Sequence, residues 1–175
     1  MDELELQTGR WTLRLQAATL TITPLRRLTG QNWLIKYRRP LGLFAFFYAC
    51  MHVLSLLFVQ HRFVWADIWE DVVEHKYMIV GALAFLSMIP LALTSTKGWI
   101  RRLGKRWTKL HQLVYLTAVL GTIHYLWAVK KDTTDPLIFL GVFLLLLGAR
   151  AVEWWRKRKV NSRRVPAQEK ASAVS

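Results

Sequence analysis

Uncharged, apolar blocks alternate along this chain with short charged connectors. Residues 40–59, 77–96 and 110–129 each run for 20 residues without Asp, Glu, Lys or Arg, and residues 136–149 add 14 more. A helix rises 1.5 Å per residue, so about 20 apolar residues match a bilayer core of roughly 30 Å. The first three blocks meet that length directly. The fourth meets it if Arg150 snorkels and the helix continues through residues 151–155. A fifth segment, residues 11–25, reads WTLRLQAATLTITPL with Arg14 as its one charge, short and polar enough to lie in the interface instead of crossing. The pattern predicts an all-α, polytopic transmembrane helical bundle of about five spans.

Composition supports this. The chain has 175 residues, of which 53% are apolar and nine are Trp, and its mean hydropathy of +0.20 points away from an ordinary soluble domain. A net charge of +14 would suggest nucleic acid in a soluble protein, but here it follows the connectors. Arg26, Arg27, Lys36, Arg38 and Arg39 fill the first; Lys97, Arg101, Arg102, Lys105, Arg106 and Lys109 fill the third; residues 156–159, Arg163 and Arg164 follow the last block. The connectors between them are different. Residues 61–76 carry Asp67, Glu70, Asp71 and Glu74, and Lys130 and Lys131 are offset by Asp132 and Asp135. Under the positive-inside rule the basic connectors and the C-terminus are cytoplasmic, and the N-terminus and acidic connector external. The five segments then alternate consistently only if residues 11–25 also cross. Trp65, Trp69, Tyr77 and Trp127 fall at the external boundary, and Trp99, Trp107, Trp154 and Trp155 at the internal one, as interfacial anchors. Residues 156–175 form a basic, disordered cytoplasmic tail beyond a membrane domain of residues 1–155. Cys50, the one cysteine, lies inside a block and forms no internal disulfide.

Ionisable groups inside a span are costly, and three histidines lie there: His52, His111 and His124. On one continuous helix His111 and His124 stand ~20 Å and ~140° apart, hence in opposite leaflets. Counted from the internal boundary, His52 lies ~18 Å deep, His124 ~21 Å and His111 ~1.5 Å. His52 and His124 share a level, which is what a bis-histidine haem between helices requires, with Phe47, Leu56 and Leu120 available as walls. His111 is left for a second, more internal centre whose other ligand is unidentified. Attachment is noncovalent, because Cys50-Met51-His52 is not a C-x-x-C-H pattern. The alternative for each histidine is a hydrogen bond across helices. His61 and His75, in the external connector, read as solvated. The acids Asp67, Glu70, Asp71 and Glu74 read as the polar face of a helix.

Several stretches carry a family resemblance: TGRW at residues 8–11, TLTITPLRR at 19–27, RRPLGL at 38–43 followed by His52, TST at 94–96, LGKRWTKLHQLVYL at 103–116 and IHYLWAVK at 123–130. With them the chain resembles the MsrQ (YedZ) family, the haem-binding membrane subunits of periplasmic methionine sulfoxide reductase systems, within the ferric reductase-like transmembrane superfamily. The resemblance covers most of the chain. It implies a multi-pass bacterial inner-membrane protein with a periplasmic N-terminus and cytoplasmic C-terminus. It implies electron transfer, with no substrate chemistry in this chain, from the quinone pool through one or two b-type haems, with FMN also assigned as a cofactor. The acceptor is a periplasmic molybdopterin methionine sulfoxide reductase, MsrP, which repairs oxidised envelope proteins. The family's haem-iron histidines fall on His52, His111 and His124, and its basic pair on Arg38 and Arg39. Those arginines are either topogenic charge or partners for haem propionates or a flavin phosphate. Family members usually have six spans, and the first has no counterpart here, Met1 falling about where the connector to the second belongs.

Two other functions fit the residues. A proton or metal-ion transporter would use the histidines as a relay, although no Asp or Glu lies in the four apolar blocks. A non-redox membrane anchor would hold a periplasmic partner through the acidic connector.

Overall fold

The computed structural model describes residues 3–60, 62, 64–129 and 133–172, with backbone alone for Gln60, Glu153 and residues 157–172. His61 lies outside the described residues, as do Lys130, Lys131 and Asp132. The described fold is all-α: α1 Glu3–Thr29, α2 Ile35–Ser55, α3 Trp65–Glu74, α4 Lys76–Leu93, α5 Lys97–Leu103, α6 Lys105–Leu110, α7 Leu113–Ala128 and α8 Thr134–Ser172. A 3-10 turn at Asn32–Leu34 leads into α2, and a π turn at Leu56–Gln60 follows it. Helix α8 carries on along the basic segment after Trp155, to Ser172.

The five long helices run up and down in turn. At one end Glu5 meets His52, Tyr77 meets His124 and Arg10 meets Asp135. At the other, Trp107 reaches Thr94, and His111 shares a cavity with Arg38 and Arg39. Helix α1 is the hub, packed on α2, α7 and α8, while α4 packs on α7 and α2. Leu13 and Leu20 of α1 are buried with Ala118 and Tyr125 of α7 and Phe143 of α8. Ala45 and Ala49 pack against Met88, small residues letting α2 and α4 approach closely. The polarity that left residues 11–25 between interface and span has its reason here. Gln16 and Thr19 are buried inside protein, where Gln16 donates to the Thr117 hydroxyl and Thr19 to the Leu15 carbonyl. With 27 residues α1 is ~40 Å long, enough to run the depth of a bilayer.

The surface is apolar where lipid would touch it. Phe44 and Leu86 are each 57% exposed and Leu145 is 76% exposed. Such a belt fits a hydrocarbon surrounding, not water. Among the described residues, three segments are long and apolar enough to cross a membrane: Asn32–Val59, Lys76–Leu93 and Thr134–Arg156. The last includes Arg150, whose guanidinium lies over the Tyr115 ring at 5.0 Å.

The block at residues 110–129 departs from the expected single helix. It breaks at His111 and Gln112, so α7 has 16 residues and His111 caps α6 instead of belonging to α7. The cause is local. His111 bonds the Trp107 carbonyl with both its backbone N–H and its ring, and Gln112 then takes the Lys109 carbonyl three residues back. That tightens the turn before the α ladder resumes. Before it, Gly104 separates α5 from α6 at φ 49°, a conformation suited to glycine.

Candidate functional site

His52 near the end of α2 and His124 near the end of α7 come together, as their matched depth requires. Their ring centroids are 6.0 Å apart with the planes at 81°. Each ring is anchored through Nδ1. His52 Nδ1 lies 2.9 Å from the Glu5 carbonyl of α1, and His124 Nδ1 lies 2.8 Å from the Tyr77 carbonyl of α4. A carbonyl oxygen only accepts, so Nδ1 carries the proton and Nε2 keeps its lone pair. Two imidazoles ligating one metal from opposite sides, with nitrogens about 2 Å from it, place their centroids roughly 6 Å apart. The observed spacing matches.

Both rings line a cavity of about 310 Å³ whose wall is almost wholly apolar, including Leu13, Val53, Leu56, Phe85 and Met88. Leu56 is a wall residue, as the sequence suggests. Phe47 is not: five residues before His52 it lies ~140° round the helix, and it is 53% exposed. Leu120 is replaced on the wall by its neighbour Gly121.

At the opposite end a second cavity, about 380 Å³, brings His111 together with Arg38, Arg39, Ser95 and Trp107. The His111 ring stacks on Trp107 at 3.9 Å, and its Nδ1 donates to the Trp107 carbonyl at 3.2 Å. The Trp107 indole is held in turn, donating to the Thr94 carbonyl at 3.0 Å. Gln16, Thr117 and Met88 line both cavities and form the partition between them. His111 and His124 therefore belong to separate sites, and no second histidine joins His111 among the cavity-lining residues.

An ionic cluster closes the His52 end. Arg10 Nε donates to the Tyr125 hydroxyl at 2.9 Å, and its terminal nitrogen lies 2.7 Å from the Asp135 carboxylate, tying α1 to α7 and α8. Glu5 is buried and also lines the first cavity. Helix α3 displays Asp67, Glu70 and Glu74 outward, and Asp71 lies 3.5 Å from the half-buried His75 ring.

The chain matches the family described as "Ferric reductase like transmembrane component" over residues 8–122, a stretch that holds His52 and His111 and ends two residues before His124. It is 46% identical over 169 residues to the "Protein-methionine-sulfoxide reductase heme-binding subunit MsrQ" of Xanthomonas campestris pv. campestris, covering 97% of this chain and 75% of that protein. The chain belongs to the MsrQ family. A protein of the same name from Herminiimonas arsenicoxydans is 50% identical over 158 residues, 89% of this chain and 72% of its own. No solved structure matches the chain.

The stretches that carry the MsrQ resemblance meet in space. TGRW touches IHYLW through Arg10 and Tyr125, and TST touches LGKRW through Thr94 and Trp107. Four residues of these sites escaped sequence reasoning. Glu5 and Tyr77 act through main-chain carbonyls, which any residue supplies. Gly9 and Gly81 act through a missing side chain: a Cβ on Gly9 would meet His52 Nδ1 at 3.3 Å, and one on Gly81 would meet His124 Nδ1 at 2.6 Å. No signal in the sequence alone marks them, because the spacing of four residues has meaning only once the carbonyls that hold the histidines are known.

Proposed function

We propose that this chain is a b-type haem electron-transfer subunit of the membrane, serving a methionine sulfoxide reductase. The observation that carries this reading is the opposed pair His52 and His124, 6.0 Å apart, each proton-locked at Nδ1 and each facing an apolar cavity. Haem bound there supplies a one-electron carrier within the low-dielectric bundle. The chain's own residues do the rest. His52 and His124 hold the iron from two helices, the Glu5 and Tyr77 carbonyls orient the rings and raise their basicity, and Leu13, Val53, Leu56 and Phe85 exclude water.

The second cavity fits an acidic ligand beside His111. Arg38 and Arg39 there suit the propionates of a second haem or the phosphate of FMN, since guanidinium binds such oxygens bidentately. In this reading the Arg38 end is cytoplasmic, as its basic connectors favour, and accepts electrons from the quinone pool. The His52 end faces the periplasm and delivers them to the molybdopterin reductase MsrP. The chain is then an inner-membrane protein with residues 1–155 as its haem domain. The names of its relatives support haem binding and a methionine sulfoxide reductase system; the direction rests on the resemblance of its motifs and on the basic connectors.

A reduced-minus-oxidised absorption spectrum tests the reading. Protein purified after haem-sufficient expression should show a b-type band, and absence of that band overturns the assignment.

A further inference from the structure

The two histidine anchors are the same device used twice. His52 binds the carbonyl of the residue 47 positions before it, and so does His124. In both cases that carbonyl sits near the start of a helix, and in both cases the residue four positions further along that helix is glycine: Gly9 after Glu5, Gly81 after Tyr77.

The repetition has a physical reason. A helical carbonyl accepts from the N–H four residues on, and the Cβ of that residue tilts back toward it, so a side chain there crowds any outside donor to the second lone pair. Glycine leaves the approach open. An added Cβ would come within 2.6 Å of Nδ1 and 2.7 Å of Cε1 of His124 at Gly81, and within 3.3 Å of both atoms of His52 at Gly9. The clash falls on the atom that makes the hydrogen bond. The Nδ1 of His111 bonds Trp107 on its own helix, its ring also reaches the Leu91 main chain with Ser95 four residues further on, and Gly98 and Gly104 have open space where a Cβ would go.

Resting on the haem reading above, we propose that Gly9 and Gly81 are positioning residues for His52 and His124. By leaving a helical carbonyl accessible, each glycine lets its histidine keep an Nδ1–H···O=C bond, and so sets the ring orientation and the strength of the Nε2 donor. A stronger imidazole donor favours ferric iron, so these bonds hold the midpoint potential of that haem down. The role differs from close packing, because it predicts a redox change in protein that still binds haem.

Redox titration and electron paramagnetic resonance of the purified, haem-loaded full chain test this. Gly9→Ala, where the ring needs to give by only a few tenths of an ångström, should retain haem with a raised midpoint and an altered low-spin signal. Gly81→Ala should show a larger shift or lose that haem. Gly141→Ala, whose Cβ would meet nothing within 4 Å, should match the unmodified protein. The proposal is overturned if Gly9→Ala and Gly81→Ala leave midpoint and signal unmoved. It is overturned as well if Gly81→Ala loses haem while Gly9→Ala is unchanged, the result of a packing clash alone. An unmodified chain without haem would instead overturn the functional reading on which the proposal rests.

Discussion

His52 and His124 present their rings nearly perpendicular to one another, at 81° between planes, each fixed by a main-chain carbonyl on a different helix. The orientation is set by the bundle, through α1 on one side and α4 on the other. If both rings held one haem iron in this orientation, its low-spin ferric signal would be strongly anisotropic. Electron paramagnetic resonance at low temperature should show that signal for the His52–His124 haem. A rhombic signal typical of parallel rings would contradict the geometry.

Arg10 ties three helices at the same end, and its partners differ in burial. Tyr125 is 6% exposed, whereas the Asp135 side chain is 42% exposed. Tyr125→Phe should lower unfolding stability in detergent by about 1.5 kcal/mol, the low end for a hydrogen bond to a charged group. Asp135→Asn should cost less, under about 1 kcal/mol, because solvent screens the pair. Thermal melts of the two variants decide the order.

The partition between the cavities is a polar pair in an apolar interior. Gln16 donates to the Thr117 hydroxyl, which donates to the Val114 carbonyl at 2.9 Å. Thr117→Val should cost on the order of 0.6–1.7 kcal/mol, as for other hydrogen bonds between membrane helices. Adding Gln16→Leu should then cost less than Gln16→Leu does alone. Additive losses in the double-variant cycle would show that the two side chains are not coupled.

At the other end Arg38 and His111 share a cavity that does not include His52 or His124. Arg38→Gln and His111→Ala should each diminish a second spectral component, or bound FMN, while the His52–His124 component stays at full intensity. Pigment extraction with a cofactor-to-protein ratio checks this.

Much of this was legible in the chain itself. Uncharged blocks gave the helices, and alternating basic connectors gave their up-and-down order, because both signals are local in sequence and lengths are set by the bilayer. Depth alone paired His52 with His124, since helical rise converts position into height. The break at His111 was not legible, because it depends on a ring stacking on Trp107 and sharing its carbonyl. Helix α1 looked marginal for a related reason: Gln16 and Thr19 count against a span until the neighbours that bury them are known. Gly9 and Gly81 were invisible because a missing Cβ has meaning only beside the ring that fills its place.

The central claim is that His52 and His124 serve one centre and His111 another. Haem spectra of His52→Ala, His124→Ala and His111→Ala, each normalised to protein, test it most directly. The same component should vanish in the first two variants and persist in the third. Equal partial loss across all three would contradict the pairing.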